Sequence, residues 1–307
     1  MSPKKPKNIA ASVRQHLLNL SKSEQRPFQE VLQYYAMERF LYRLSMSSHV
    51  NKFVLKGALM LSAWCAPEAR PTMDIDVLGK MSNEQATVVG QIQEILAVEV
   101  EPDGILFDAA TVQAERITED ADYAGIRIRF RGMLESARIN MQIDVGFGDV
   151  VFPEPETIVL PALLEFPAPA LQGYSRESTI AEKFEAMVKL GELNSRMKDF
   201  FDIWLLLQSF SFEGQDLAEA IRRTFDRRGT ELPETVTAFT PEFAIAKQVQ
   251  WRAFTRRLGE GTGVPDLATV TSTIAEFLSP IVQAIHGAAS MPERWRAPGP
   301  WTLLRSQ

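Results

Sequence analysis

The chain carries the stretch RPTMDIDVLG at residues 70–79, and the alternation within it predicts a β-strand over Met73–Leu78. Side chains at positions i and i+2 of a strand point to the same face, so Asp74 and Asp76 are expected to project together. Two adjacent carboxylates repel each other, and a Mg²⁺ ion is the commonest reason to place them side by side. The alternative is a pair of solvated aspartates that form an ion pair with Arg70 or another base.

A second apolar stretch, NMQIDVG at residues 140–146, carries one isolated acid, Asp144. If its strand lies beside the strand of Asp74 and Asp76, three carboxylates converge, as they do in two-metal phosphoryl-transfer sites. The simpler alternative for Asp144 is a single carboxylate at a strand end. The sequence thus predicts a metal site at Asp74, Asp76 and Asp144, which are also the candidate catalytic acids.

Upstream of these acids, the segment Lys56-Gly57-Ala58 lies where a predicted strand (residues 51–55) passes into a predicted helix (residues 58–64). Backbone N–H groups at a helix N-terminus suit a phosphate, and a glycine lets the backbone approach closely. An ordinary turn is the alternative.

Two charged positions interrupt apolar helix faces in the C-terminal half. Lys183 falls on the apolar face of a helix predicted over residues 178–193, where it must reach the edge or meet an anion. The anion is either a nucleotide phosphate or a carboxylate from a neighbouring helix. In the next predicted helix, Asp199 projects between apolar residues, and the spacing pairs Lys198 with Asp202.

The overall pattern predicts an α+β protein with three parts: a helical segment over residues 1–48, a mixed α/β core over 49–160, and a helical domain over 161–307. Prolines between residues 153 and 169 suggest a connector between domains. The net charge of −6 confines any nucleic-acid contact to a local basic patch. The single cysteine excludes an intramolecular disulfide. No apolar run approaches the roughly 20 residues of a membrane span, so a cytoplasmic protein without membrane contact is expected.

Together these segments resemble the AbiEii/AbiGii-type nucleotidyltransferase toxins of the DNA polymerase β-like superfamily, which also include the MenT toxins. The stretches RPTMDID (70–76) and RMKDFFD (196–202) carry the resemblance most specifically. Supporting stretches are FVLKGALML (53–61), Ile143-Asp144 and EKFEA (182–186). The chain departs from the usual family pattern in having Ala58 and Leu59 where a second glycine and a hydroxyl residue are common. Ser62, one turn later, is the candidate replacement.

The resemblance implies a polymerase β-like core of mixed sheet and flanking helices with a helical C-terminal domain. It implies that Asp74, Asp76 and Asp144 bind Mg²⁺ or Mn²⁺, that Lys183 meets the triphosphate of an NTP, and that Asp199 completes the catalytic set. The expected nucleotide-binding residues are Lys56, Gly57, Ala58, Ser62, Lys183 and Lys198.

The leading functional hypothesis is transfer of NMP from an NTP to an acceptor, with the tRNA 3′ end or another RNA as the expected partner. The resemblance also implies a toxin that acts beside a separately encoded antitoxin. A solvated helix surface is the favoured interpretation of any single arginine of the C-terminal half, but as a group they are the candidate RNA contacts: Arg222, Arg223, Arg227, Arg228, Arg252, Arg256 and Arg257. The alternatives are a catalytically idle binding protein that keeps the fold and a metal-dependent nuclease that uses the same acids.

Overall fold

The structure is a computed structural model that describes residues 8–64, 66, 70–119, 123–259 and 263–302. Contacts divide the chain into two compact units, a sheet unit and a helical unit. The sheet unit comprises Met1–Trp64, Pro71–Gly148 and Glu156–Gly173. The helical unit comprises Cys65–Arg70, Asp149–Pro155 and Tyr174–Gln307. The chain therefore passes between the units several times.

The sheet unit combines a mixed seven-stranded sheet with helices. The described helices are α1 (Ile9–Ser23), α2 (Phe28–Met46), α3 (Leu59–Ala63) and α4 (Gln85–Leu96). The strands are β1 (Phe53–Lys56), β2 (Ile75–Gly79), β3 (Ile105–Glu119), β4 (Tyr123–Leu134), β5 (Ala137–Phe147), β6 (Glu156–Val159) and β7 (Ala170–Gly173). Their order in the sheet is β3-β4-β5-β2-β1-β7-β6.

One face of the sheet is covered by α2 and α4, and strand alternation explains why. In β4, Ile126, Ile128 and Phe130 are almost fully buried in the core that α2 and α4 share with the sheet. The residues between them, Arg127 and Arg129, point to the opposite, polar face, as a strand's two-residue period requires. The sheet unit is therefore a core packed on one side of the sheet, with polar side chains on the other.

Strand β2 lies at the centre of the sheet and sets the position of the acidic residues. It pairs antiparallel with β1 and parallel with β5. In the parallel pair Asp76 is the Cα partner of Asp144, so the condition for bringing the acids of the two strands together is met. In the antiparallel pair Lys56 is opposite Asp76.

The proline-punctuated segment after residue 152 differs from the expected connector. Part of it forms β6 and β7, which pair antiparallel with each other, and β7 continues the sheet beside β1. Pro161, Pro167 and Pro169 lie in the loop between these strands, where no ladder N–H is required. Strands of four residues with prolines between them resemble a loop in sequence. The sequence pattern therefore did not predict the hairpin of β6 and β7.

The helical unit consists mainly of the helices predicted for the C-terminal half. These are α5 (Arg176–Leu190), α6 (Met197–Ser209), α7 (Gly214–Arg228), α8 (Pro241–Thr255) and α9 (Leu267–Ile285). A small three-stranded sheet adds β8 (Phe212–Glu213), β9 (Arg294–Trp295) and β10 (Trp301–Thr302), which the sequence did not predict. The predicted fold class, a mixed sheet with flanking helices and a helical C-terminal region, is confirmed.

Helix α9 is the one helix of the described residues that is long and apolar enough to cross a membrane by length and composition. Its buried residues include Ile274, Phe277 and Ile281, and the helix packs against α6, α7 and α8. This arrangement is that of a core helix.

Candidate active site

The two aspartates of the central motif lie where β2 begins. The strand starts at Ile75, so Asp74 immediately precedes it and Asp76 is its second residue. The Thr72 hydroxyl donates a hydrogen bond to Asp74 Oδ1 at 2.7 Å, which fixes this carboxylate in the turn that leads into the strand. Both aspartates are half-buried, so neither is withdrawn from solvent.

Gly57 provides the surface on which the Asp76 carboxylate rests. Its φ of +73° lies in the region that favours glycine, and a Cβ built there would stand 2.1 Å from Asp76 Oδ2. No other residue type leaves room for the carboxylate in this position. The glycine was predicted as a site for close approach of a phosphate, and the structure shows a close approach by Asp76.

Asp144 is held by an arginine on the neighbouring strand. Arg127 on β4 is its Cα partner and donates from Nε to Oδ1 at 2.8 Å and from Nη2 to Oδ2 at 2.7 Å. Asp144 is 6% exposed. The hydrogen bond and charge of Asp144, with smaller contributions from the charges of Glu115 and Asp74, raise the pKa of Arg127 against the effect of its desolvation.

The carboxylates suit Mg²⁺ in their chemistry, because this ion prefers oxygen ligands and is commonly held by one or two carboxylates together with substrate phosphates. Asp74 and Asp76 supply two such groups. Among the residues that the structure describes, no three His, Cys, Asp or Glu side chains are arranged as a metal-binding group. Asp74 and Asp76 therefore fit a divalent ion that completes its coordination with a substrate.

The remaining residues predicted to bind nucleotide in the sheet unit lie around α3. This helix has only five residues, and its N-cap residue, Ala58, has no side chain that could accept a capping hydrogen bond. Lys56 is 8% exposed at the end of β1. The Ser62 hydroxyl is hydrogen-bonded to the Tyr34 phenol, whose pKa is raised by burial against the influence of this bond.

In the helical unit, Lys183 of α5 meets two aspartates of α6. Its ammonium group lies 2.8 Å from Asp199 Oδ1 and 2.7 Å from Asp202 Oδ2. Arg70 adds a two-point contact to Asp202 at 2.8 and 2.9 Å, and Arg196 Nε donates to Asp199 Oδ2 at 2.7 Å. Of the two anions considered for Lys183, the structure shows the carboxylates of a neighbouring helix.

These charges keep both aspartates ionised. Burial alone would raise the pKa of Asp199, but the charges of Lys183 and Arg196 and the hydrogen bond from Lys183 lower it to about 2. The pKa of Asp202 is likewise lowered, because Lys183 and Arg70 outweigh its desolvation. Burial would lower the pKa of Lys183, but the two carboxylates raise it. The cluster is therefore fully charged near neutral pH.

The expected pair between Lys198 and Asp202 does not form. Asp202 is only 1% exposed and bonds to Arg70 and Lys183 instead, while Lys198 is exposed on α6. A buried carboxylate gains more from cations that share its low-dielectric surroundings than from a solvated lysine on its own helix.

A second buried cluster of the helical unit was not predicted. Arg228 at the end of α7 lies 3.0 Å from Asp149, 3.4 Å from Glu182 and 2.9 Å from Glu185. Asp149, two residues after the end of β5, is thus an ion-pair partner of Arg228. The cluster ties α5 to α7.

Comparison with known proteins identifies the family of this chain. The sequence profile described as "Nucleotidyl transferase AbiEii toxin, Type IV TA system" matches residues 39–272, about three quarters of the chain. This chain belongs to the AbiEii family. The match spans the whole interval from Lys56 to Asp202 that carries the candidate site residues.

The AbiEii assignment rests on the sequence profile alone, because the similarity to solved structures is weaker. JHP933 from Helicobacter pylori is 16% identical, with a TM-score of 0.48 over 84% of this chain and 92% of that chain. A second H. pylori protein, described provisionally as a nucleotidyltransferase, is also 16% identical, with a TM-score of 0.44 over 84% of this chain and 95% of its own. No curated protein sequence matches.

Membership confirms that this AbiEii protein is a nucleotidyltransferase of a type IV toxin–antitoxin family, as the resemblance implied. The family implies an NTP as substrate and a separate antitoxin. The particular metal, the acceptor and the roles of individual side chains are matters of proposal.

One residue beside the candidate acids escaped the sequence analysis, although a signal for it was present. Residues 126–131, IRIRFR, alternate perfectly between apolar and basic residues, which marks a strand with one basic face. Only the pairing of β4 with β5 shows that Arg127 of this face lies opposite Asp144.

Proposed function

We propose that this protein transfers NMP from an NTP to the 3′ end of an RNA, with tRNA as the acceptor and Mg²⁺ as the required ion, and that it acts as the toxin beside a separately encoded antitoxin. The observation that carries the proposal is the register of β2 and β5. It sets Asp76 beside Asp144, with Asp74 at the start of the same strand. Acids in this pattern are suited to phosphoryl transfer.

Asp74 and Asp76 would hold the divalent ion, and Gly57 and Thr72 fix their carboxylates. The bound ion would offset negative charge on the phosphates and favour the ionised form of the acceptor hydroxyl. The fixed orientation of these carboxylates matters because a group that does not have to reorient during the reaction stabilises charge without a reorganisation cost.

Lys183 contacts the triphosphate through its ammonium group, and Asp199 completes the set by holding that group in place. The side chain of Arg196 is 36% exposed and that of Lys183 is 14% exposed, so an anion would approach the cluster from the side of Arg196. Asp199 and Asp202 raise the pKa of Lys183 and so maintain its charge.

The reaction balances as a direct displacement. The acceptor 3′-hydroxyl oxygen forms a bond to the α-phosphorus of the NTP, and the bond from that phosphorus to the bridging oxygen of pyrophosphate breaks. An aspartate near the hydroxyl accepts its proton, and pyrophosphate leaves with the electron pair. The residues of this chain bind and orient the two substrates, and one of them accepts the proton.

The test is incubation of the purified protein with total tRNA, Mg²⁺ and each labelled NTP separately. Asp76→Asn is the test variant, and Asp226→Asn, at an exposed position of α7, is the matched control. Label is expected in RNA with the wild type and the control, and at least about 100-fold less with Asp76→Asn. Omission of Mg²⁺ should abolish the signal. If wild-type protein binds nucleotide but labels no RNA, the RNA acceptor is wrong. If it binds no nucleotide, the idle-fold alternative replaces the proposal.

A further inference from the structure

The pair formed by Arg127 and Asp144 constrains how the third carboxylate is used. Both oxygens of Asp144 accept hydrogen bonds from the guanidinium, and Gln142 Nε2 approaches Oδ2 at 3.4 Å. A two-point contact of this kind fixes the plane of the carboxylate and neutralises its charge. Asp144 as it stands is therefore a poor ligand for a cation.

The position of the guanidinium adds a repulsive effect on any nearby cation. The charge of Arg127 interacts with Asp74 as well as with Asp144 and Glu115. Its side chain is 29% exposed, so it is reachable by a substrate phosphate. A fixed positive charge among carboxylates lowers their combined affinity for a divalent ion.

We propose that Arg127 is a positioning residue that withholds Asp144 from the divalent ion in the nucleotide-free protein. Asp74 and Asp76 alone then bind the ion, and the set of three carboxylates becomes complete only when donor phosphates attract the guanidinium. This inference rests on the proposed transferase function, because it assigns the attracting anion to the NTP. If the inference holds, strong binding of the divalent ion depends on bound NTP.

The first experiment measures Mn²⁺ binding to the free protein by electron paramagnetic resonance, without nucleotide. Arg127→Gln is expected to bind Mn²⁺ about tenfold more tightly than wild type, because the repulsive charge is gone and Asp144 is released. Arg129→Gln is the matched control. It lies on the same strand and face but pairs with Glu115, so its affinity should stay within about twofold of wild type. Equal affinities for the two variants, or weaker binding by Arg127→Gln, would overturn the proposal.

A second measurement does not depend on the folding of Arg127→Gln. In the wild-type background, Asp76→Asn should abolish Mn²⁺ binding to the free protein, whereas Asp144→Asn should weaken it by no more than about threefold. If Asp144→Asn abolishes binding as fully as Asp76→Asn, the third carboxylate is already a ligand and the inference fails. Saturation with a non-hydrolysable NTP analogue should make Asp144→Asn as damaging as Asp76→Asn.

These readouts separate the two proposals. Tighter Mn²⁺ binding by Arg127→Gln together with no nucleotide transfer by wild type would support the role of Arg127 and refute the transferase. Transfer by wild type with no effect of Arg127→Gln on Mn²⁺ would refute the role of Arg127 and leave the transferase in place.

Discussion

Replacement of Lys183 by methionine is the most direct test of the buried charge cluster. Asp199 and Asp202, each 1% exposed, would keep Arg196 and Arg70 but lose the ammonium group that bridges them. Breaking a buried ion pair from one side costs about 3–5 kcal/mol, because the remaining charge stays desolvated. Since each aspartate retains one arginine, the loss should lie near the lower end, at about 3 kcal/mol. This is a large part of the 5–15 kcal/mol typical of a folded domain.

The free energy of unfolding should be measured by urea denaturation at pH 7, with Lys198→Met as the control. Lys198 is on the same helix as both aspartates but exposed, so its loss should change stability by less than about 0.5 kcal/mol. The cost of Lys183→Met should shrink near pH 4, because without the ammonium group the pKa of each aspartate is higher and protonation relieves the buried charge. A cost below about 1 kcal/mol at pH 7, or one independent of pH, would refute the reasoning.

Two further predictions concern the sites separately. Gly57→Ala should destabilise the protein by at least about 2 kcal/mol in thermal unfolding, because the new Cβ meets Asp76 and φ is positive. The control Gly90→Ala, in open space within α4, should stabilise the protein by about 0.5–1 kcal/mol. Equal effects of the two substitutions would contradict the role of Gly57. Because folding lowers the pKa of Asp199 from 3.8 to about 2, its contribution of roughly 2 kcal/mol is present above the ordinary pKa and lost as the pH falls from about 5 towards 2. The stability difference between wild type and Asp199→Asn, measured in urea at pH 7 and pH 3, should therefore narrow at pH 3, and a constant difference would contradict the assigned pKa.

Much of the fold was predictable from local periodicity. The helical character of the C-terminal region was predicted, and α5, predicted over residues 178–193, is observed over Arg176–Leu190, because its apolar residues recur at helical spacing. Strand β2 was predicted from the alternation of its residues, and β5 was predicted from an apolar run that surrounds one isolated acid. The short strands β6 to β10 were not, since two to four residues carry too little pattern to distinguish a strand from a loop.

The candidate site residues could be selected from the sequence, but their partners could not. Lys183 and Asp199 were noticed because charges on apolar helix faces are costly, and that reasoning left phosphate and carboxylate as equal choices for Lys183. The partner of Asp202 was assigned to Lys198 by spacing, whereas tertiary packing supplies Arg70, which is 132 residues away in the chain. Register across β4 and β5 similarly determines that Asp144 meets Arg127. Contacts between residues that lie far apart in the chain produce no periodic pattern in the sequence.

The repeated passage of the chain between the two units has a consequence for synthesis on the ribosome. Arg70 belongs to the unit that contains Asp202, and β7 must join β1 after more than a hundred intervening residues. At 5–20 residues per second, Arg70 emerges roughly 10 s before its partner is made. Each unit is built from three separate segments of the chain. The ion pair between Arg70 and Asp202 can therefore form only after about two thirds of the chain has been made. A toxin built this way stays unfinished while most of its own chain is being made.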